Sequence, residues 1–311
     1  MSRLIHVAAV IGLLAATAGC GTAGNSGSDP RTALLAEREA RLQQKLAHPD
    51  SGAADEPVAR WELPATLKEI SGLVLTANGR LLTHGDSRGK VFEIDYRRGT
   101  VVKEFSLGPP TPHADFEAIT LVGDTVVLLA SDGVLYQFAE AANGKSVEYA
   151  MQDTELGEKC EFEGVAYDAT LKALLLACKK VHDKRMKDSL IVYRWPLPVV
   201  RDTGKATRTN QKLKLSYLAV PLARVIGSND WTGLHPSDIT IDPFNGNYLL
   251  IASQEKALFE ITPAGAVVFA RPLPAGHDQP EGVAITRDSI LIISDEAKGG
   301  PALITLYRWP R

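Results

Sequence analysis

The chain has 311 residues, 45% hydrophobic and 23% charged, with 34 Lys and Arg against 37 Asp and Glu for a formal net charge of −3. Such a balance suits a folded protein with material for one large domain or two ordinary ones, and it excludes a disordered chain or a polytopic membrane protein. The slight acidic excess offers no footprint for phosphate backbones, which argues against nucleic acid as a partner.

Arg3 is followed by an apolar run from Leu4 to Ala18, broken by His6, that leads into Thr17-Ala18-Gly19-Cys20. A basic start, an apolar stretch too short to span a bilayer comfortably and small residues before a cleavage point predict a secretory signal over residues 1–19. Cysteine at the cleavage point resembles the lipobox of bacterial lipoproteins, with Thr17 where that pattern prefers Leu. The resemblance implies acylation of Cys20, palmitate included, and a lipid anchor in the bacterial cell envelope facing the periplasm or exterior. Gly21 stands where Asp would favour inner-membrane retention, which points to the outer membrane. Removal of residues 1–19 takes away Arg3 and leaves 33 basic against 37 acidic residues.

Residues 20–57 read as a tether. Its first part, GTAGNSGSDP, is small and polar as flexible linkers are. The Ala, Leu, Glu, Arg and Gln of residues 31–47 predict a short charged helix, which HPDSGAADEP then breaks. The expectation is a spacer that holds the following domain off the membrane.

From residue 58 to 311 the text predicts strands. Short runs such as Lys90–Ile94, Thr125–Ala130, Val134–Phe138, Ala173–Cys178, Tyr248–Ser253 and Ile290–Ser294 are rich in Val, Ile, Leu, Phe and Tyr, and Asn-Gly or Arg-Gly turns separate them. EISGL, DFEAI, EFEGV, PSDIT and PEGVA repeat along this region, with the small position at Gly72, Ala118, Gly164, Asp238 and Gly282, at intervals of 46, 46, 74 and 44. Three of the intervals match a four-stranded propeller blade, and the long one carries the polar inserts 180–188 and 201–211. Only 29 residues follow Gly282, enough for three strands; VARWELP at 58–64 supplies the fourth and closes the ring without exposed edges. The predicted fold is therefore all-β, a single β-propeller of five four-stranded blades closed by an N-terminal strand, with six blades as the alternative.

In a blade, the loop leading into the inner strand and the turn between the second and third strands lie at the same mouth of the channel. The repeat thus aims Glu69, Asp115, Glu117, Glu161, Glu163, Asp238 and Glu281 at one mouth. Crowded like charge must be relieved by protonation, by basic neighbours or by a cation, and hard cations with oxygen ligands, calcium first, suit a carboxylate ring. The other reading, equally open here, is that these acids cap backbone N–H groups and join neighbouring blades. Asp86, Arg88, Asp132, Lys179, His235, Lys256, Asp295 and Lys298 lie in or beside the turns of the same face and are candidates to hold an anionic ligand or partner beside a bound cation. Gly85-Asp86-Ser87-Arg88-Gly89 fits the G-x-S-x-G pattern, but a strand follows it where a nucleophile elbow needs a helix, so a hairpin turn is predicted. Cys160 and Cys178 lie at the same end of one hairpin and, in an oxidising compartment, are expected to pair.

KEISGLVLTANGRLLTHGDSRGKVFEID, then DFEAITLVGDTVVLLASDGVLYQF, EFEGVAYD and QPEGVAIT, resemble the SdiA-regulated family of bacterial exported β-propellers over residues 60–310. Similar Glu-Gly starts occur in phytase-like and esterase-like propeller domains. Ala118 stands where that pattern has glycine, and Pro236-Ser237-Asp238 lacks the Glu-Gly pair. The resemblance implies an envelope-associated propeller that binds calcium. Two classes of function follow: a binding lipoprotein with its ligand or partner at the acidic mouth, or a calcium-dependent phosphoesterase or esterase.

Overall fold

A computed structural model describes residues 29–47, 55–196 and 215–310. The signal segment and Cys20, most of the linker and the insert at 201–211 lie outside the described residues. Within them the chain builds five sheets in a ring, a five-bladed β-propeller. Blade 1 runs outward from the inner strand Ile70–Leu75 through Leu81–Gly85 and Lys90–Asp95 to Thr100–Leu107. The inner strands of blades 2 to 5 are Phe116–Val122, Cys160–Asp168, Pro236–Ile241 and Pro280–Ile285. Blade 5 takes its outer strand, Ala59–Glu62, from the other end of the domain, with Ala59 opposite Leu306 and Glu62 opposite Leu303. Closure by the front of the chain is thus as the residue arithmetic predicts.

The continuous apolar text of the strands has a simple cause. Each sheet is buried on both faces, so successive residues point to two different neighbours rather than alternating between core and water. In blade 5, Ile290 and Ile292 pack toward blade 1 while Leu291 and Ile293 pack toward blade 4. Among the described residues five apolar clusters result, one in each junction between blades.

A register irregularity interrupts every inner strand at the repeated motif: Ile70/Leu73, Phe116/Ala118, Phe162/Gly164, Pro236/Asp238 and Pro280/Gly282. The bulge turns the backbone toward the axis, where inner strands meet, and so explains the small residue. A Cβ on Gly72 would lie 3.0 Å from the Ala118 backbone, and one on Gly164 3.0 Å from the Ile239 nitrogen. At Gly282 it would come within 2.6 Å of the Ser71 carbonyl and against the Ser294 hydroxyl. Gly282→Val is therefore expected to cost about 3 kcal/mol by overpacking. Gly300→Ala, with nothing within 4 Å, should be near neutral in the same denaturant titration.

Cys160 and Cys178 form a disulfide across the first hairpin of blade 3, with Cα atoms 5.7 Å apart. The charged segment forms helix α1 (Pro30–Ala47), as its composition predicts, but it is not a free spacer. Leu42 is buried in the cluster between blades 5 and 1, Arg38 lies 5.0 Å over the Trp61 ring, and Arg308 donates to the Leu46 carbonyl at 2.7 Å. An apolar stripe on an otherwise charged helix, too thin to stand out in composition, is what docks it.

Candidate functional site

The motif residues form two tiers at the acidic mouth. One residue before the small position stand Ser71, Glu117, Glu163, Ser237 and Glu281; three before it stand Glu69, Asp115, Glu161, His235 and Gln279. In the inner tier the two serines serve the fold. The Ser71 hydroxyl donates to the Glu117 carbonyl and that of Ser237 to the Pro280 carbonyl, both at 2.8 Å, each linking its blade to the next.

The three glutamates of the inner tier act on one another electrostatically, together with Lys179. Lys179 lies near the end of the second strand of blade 3, Ala173–Val181, and forms an ion pair with Glu163, whose side chain is buried. Glu281 accepts a hydrogen bond from Ser253 at 3.2 Å. Burial, followed by the charge of Glu163, pushes the Glu117 carboxyl up to about 9. Burial likewise raises Glu163 and Glu281 to about 7, with Lys179 opposing in both. Lys179 itself is held above its ordinary value because the pairing with Glu163 outweighs its own desolvation. Burial thus favours retention of protons by all three carboxyls, Glu117 most strongly, beside the Lys179 ammonium.

Asp238 takes the small position in blade 4 and is withdrawn from this cluster. Fully buried, its carboxylate accepts from Ile239 N–H and Val283 N–H, each at 2.8 Å, and from Leu73 N–H. It thereby caps inner strands of blades 4, 5 and 1. This is the capping role, and it explains why blade 4 departs from the Glu-Gly pattern: a carboxylate reaches across the axis where the other blades place a small residue.

The outer tier divides further. Glu69 pairs with Lys68 at 2.7 Å and shares a hydrogen bond with Asp86, so its carboxyl is lowered. Burial and that same bond raise Asp86 to about 6. His235 is held by both oxygens of Glu255, through Nδ1 at 2.7 Å and its own N–H at 3.0 Å. Gln279 bonds the Glu296 carboxylate. Asp115 is exposed and Glu161 half-exposed.

The turn residues do not gather into one anion clamp. Lys256 donates to the Asp278 carbonyl, and Asp132 accepts from Val134 N–H at 3.1 Å within its own turn. Asp295 is buried and bonds His277 at 2.6 Å, whose other nitrogen meets the Tyr307 hydroxyl at 2.8 Å. Arg88 and Lys298 stand exposed. Gly85–Gly89 is the turn of an antiparallel hairpin, as its flanking strands predict, and Ser87 faces Glu69 at 3.4 Å. Among the described residues no three His, Cys, Asp or Glu side chains are grouped tightly enough to hold a metal ion.

Sequence reasoning did not single out Lys68, Ser253, Glu255 or Glu296, and it offered His277 only as one of four possible bases, beside His84, His113 and His235. Glu255 and Glu296 occupy the same recurrent turns as the residues it singled out, and Ser253 immediately precedes one of them. His277 sits alone in a loop, and no local signal pairs it with an acid 18 residues on.

No protein-family model matches the chain, and no curated protein matches it in sequence. Among solved structures it is similar to the glutaminyl cyclase of Myxococcus xanthus, at TM-score 0.51 and 12% identity, covering 81% of this chain and 94% of that one. It is similar also to the PQQ-bound aldose sugar dehydrogenase of Streptomyces coelicolor, at TM-score 0.51 and 14% identity, covering 83% and 99%. At such identities the likeness shows the propeller fold alone.

Proposed function

We propose that this protein is an exported, lipid-anchored β-propeller that binds a cation, with its ligand or partner, at the acidic mouth. The observation that carries the reading is the electrostatic convergence of Glu117, Glu163 and Glu281 at one mouth, with Lys179 paired to Glu163. Like charges are brought together at a cost, and a ligand cation recovers it. Binding rather than catalysis is favoured because, among the described residues of the mouth, the Ser87 and Ser253 hydroxyls bond the Glu69 and Glu281 carboxylates and neither bonds a histidine.

Calcium is the cation that oxygen donors of this kind favour. Lys179 pairs with Glu163, and among the described residues the glutamates are not grouped tightly as ligands. Loading calcium therefore means exchanging the Lys179 ammonium for the ion. The SdiA-regulated resemblance and the lipobox support the envelope address, with Cys20 as the lipidated residue.

Metal analysis of the purified protein, and melting with calcium or chelator, test the cation. Calcium at about 100 times its Kd should add about 2.7 kcal/mol, and Lys179→Met should bind it more tightly by removing the competitor. No retained metal and no melting shift in either protein would remove the cation from the reading. Cys20→Ser should release the protein from the membrane fraction.

A further inference from the structure

The other end of the channel has a chemistry of its own. A cavity of about 740 Å³ opens there, walled by the ends of the inner strands of all five blades. Its volume falls within the roughly 300–1,000 Å³ of small-molecule sites. None of the glutamates of the acidic mouth lines it, and the buried Asp238 stands on its inner strand two residues before Thr240 of the wall.

The wall is set by the repeat. Two residues after each small position stand Val74, Thr120, Ala166, Thr240 and Ala284, all lining the cavity. Apolar and hydroxyl groups of modest size leave the space open, and nothing acidic stands among them. Charge is confined to the rim. There Arg97 lies 5.6 Å from the Tyr96 ring centroid and pairs with Asp288, across the seam of blades 1 and 5. Arg287 lines the same rim, exposed, with no hydrogen bond or ion pair among the described residues. With Arg97 answered by Asp288, one guanidinium is left over, on a protein whose net charge is −3.

We propose that this cavity is a second binding site, for a small amphiphile whose apolar body fills the inner-strand ring and whose single anionic group, carboxylate or phosphate, pairs with Arg287. A wall that mixes apolar side chains with hydroxyls suits an amphiphile, and a guanidinium is matched to either anion. The proposal is independent of cation binding at the acidic mouth.

Octanoate, octyl phosphate and octanol titrated into the full-length protein by calorimetry test it. Both anions are expected to bind with one-to-one stoichiometry and octanol about tenfold more weakly, and Arg287→Ala should bring the anions down to the level of octanol. The tighter of the two anions identifies the group the site takes. Ala166→Trp, which fills the ring, should abolish binding. Should that variant not fold, methyl NMR of the unaltered protein decides: shifts on binding must concentrate at Val74, Leu121, Ala166 and Ile285. Absence of saturable binding, equal binding of octanol, indifference to Arg287→Ala, or shifts centred on the acidic mouth would each overturn the proposal.

Discussion

Raising the pH from about 6.5 to about 9 is expected to lower the unfolding free energy of this protein by about 5 kcal/mol. The cause is the inner tier of glutamates. Their ordinary value is 4.5, whereas the folded protein holds Glu117 up to about 9 and Glu163 and Glu281 to about 7, in each case through burial first. Across that interval the folded state binds protons that the unfolded chain has released, so stability is full below the unfolded value and is lost as pH rises through the folded ones. Asp86, raised to about 6, contributes mostly below this window.

The acid side has other owners. Burial depresses the ring of His84 to about 4, so its contribution is lost as pH falls from its ordinary 6.5 toward that value. Glu140, held down to about 2 by Arg80, behaves the same way at still lower pH. Stability should therefore peak between the two groups of residues. Glu117→Gln keeps a neutral side chain of the same shape and is expected to remove about 3 kcal/mol of the alkaline loss, seen by urea denaturation at both pH values. Parallel pH profiles for the variant and the parent would mean that Glu117 ionises without penalty. Calcium, if it binds as proposed, should flatten the same limb, because a cation pays the cost that deprotonation creates.

Asp238→Ala is expected to destabilise the protein by about 3–5 kcal/mol, since each buried backbone donor left unsatisfied costs about 1–3 kcal/mol. The donors are the N–H groups of Ile239, Val283 and Leu73, freed from the sheet ladders by the bulges that every inner strand carries at the motif. One side chain from blade 4 satisfies strands in blades 5 and 1 as well as its own. Asp238→Asn retains one acceptor oxygen but sets an amide N–H against a backbone N–H, and should lose roughly half as much. A loss below about 1 kcal/mol for the alanine variant in denaturant titration would show that the carboxylate is not a structural cap.

These two expectations mark where reading the chain as text stops. The spacing of Gly72, Ala118, Gly164, Asp238 and Gly282 is enough to count blades, because a four-stranded sheet of this size consumes a nearly constant length of chain apart from the insert-bearing third interval. The shortage of one strand after Gly282 is enough to place Val58–Leu63 in blade 5. The same period puts the repeated acids and the turn residues at one mouth, since strand direction alternates regularly within a blade. Even the apolar line of α1, Leu42 above all, is present in the text, although docking is not.

What the amino-acid order by itself determined, then, is the period: an all-β domain, five blades, a small residue at each axial approach and a concentration of carboxylates at one end. Only the tertiary structure decided what each carboxylate does. Asp238 and Val283 are 45 residues apart, and Glu163 meets Lys179 while Glu69 meets Asp86. Whether an acid caps a strand, shares a proton or awaits a cation depends on which atoms from sequence-distant blades surround it, and on how much water they exclude. Periodicity carries none of that information, because local spacing sets the path of the backbone, whereas burial and pairing are properties of the closed ring.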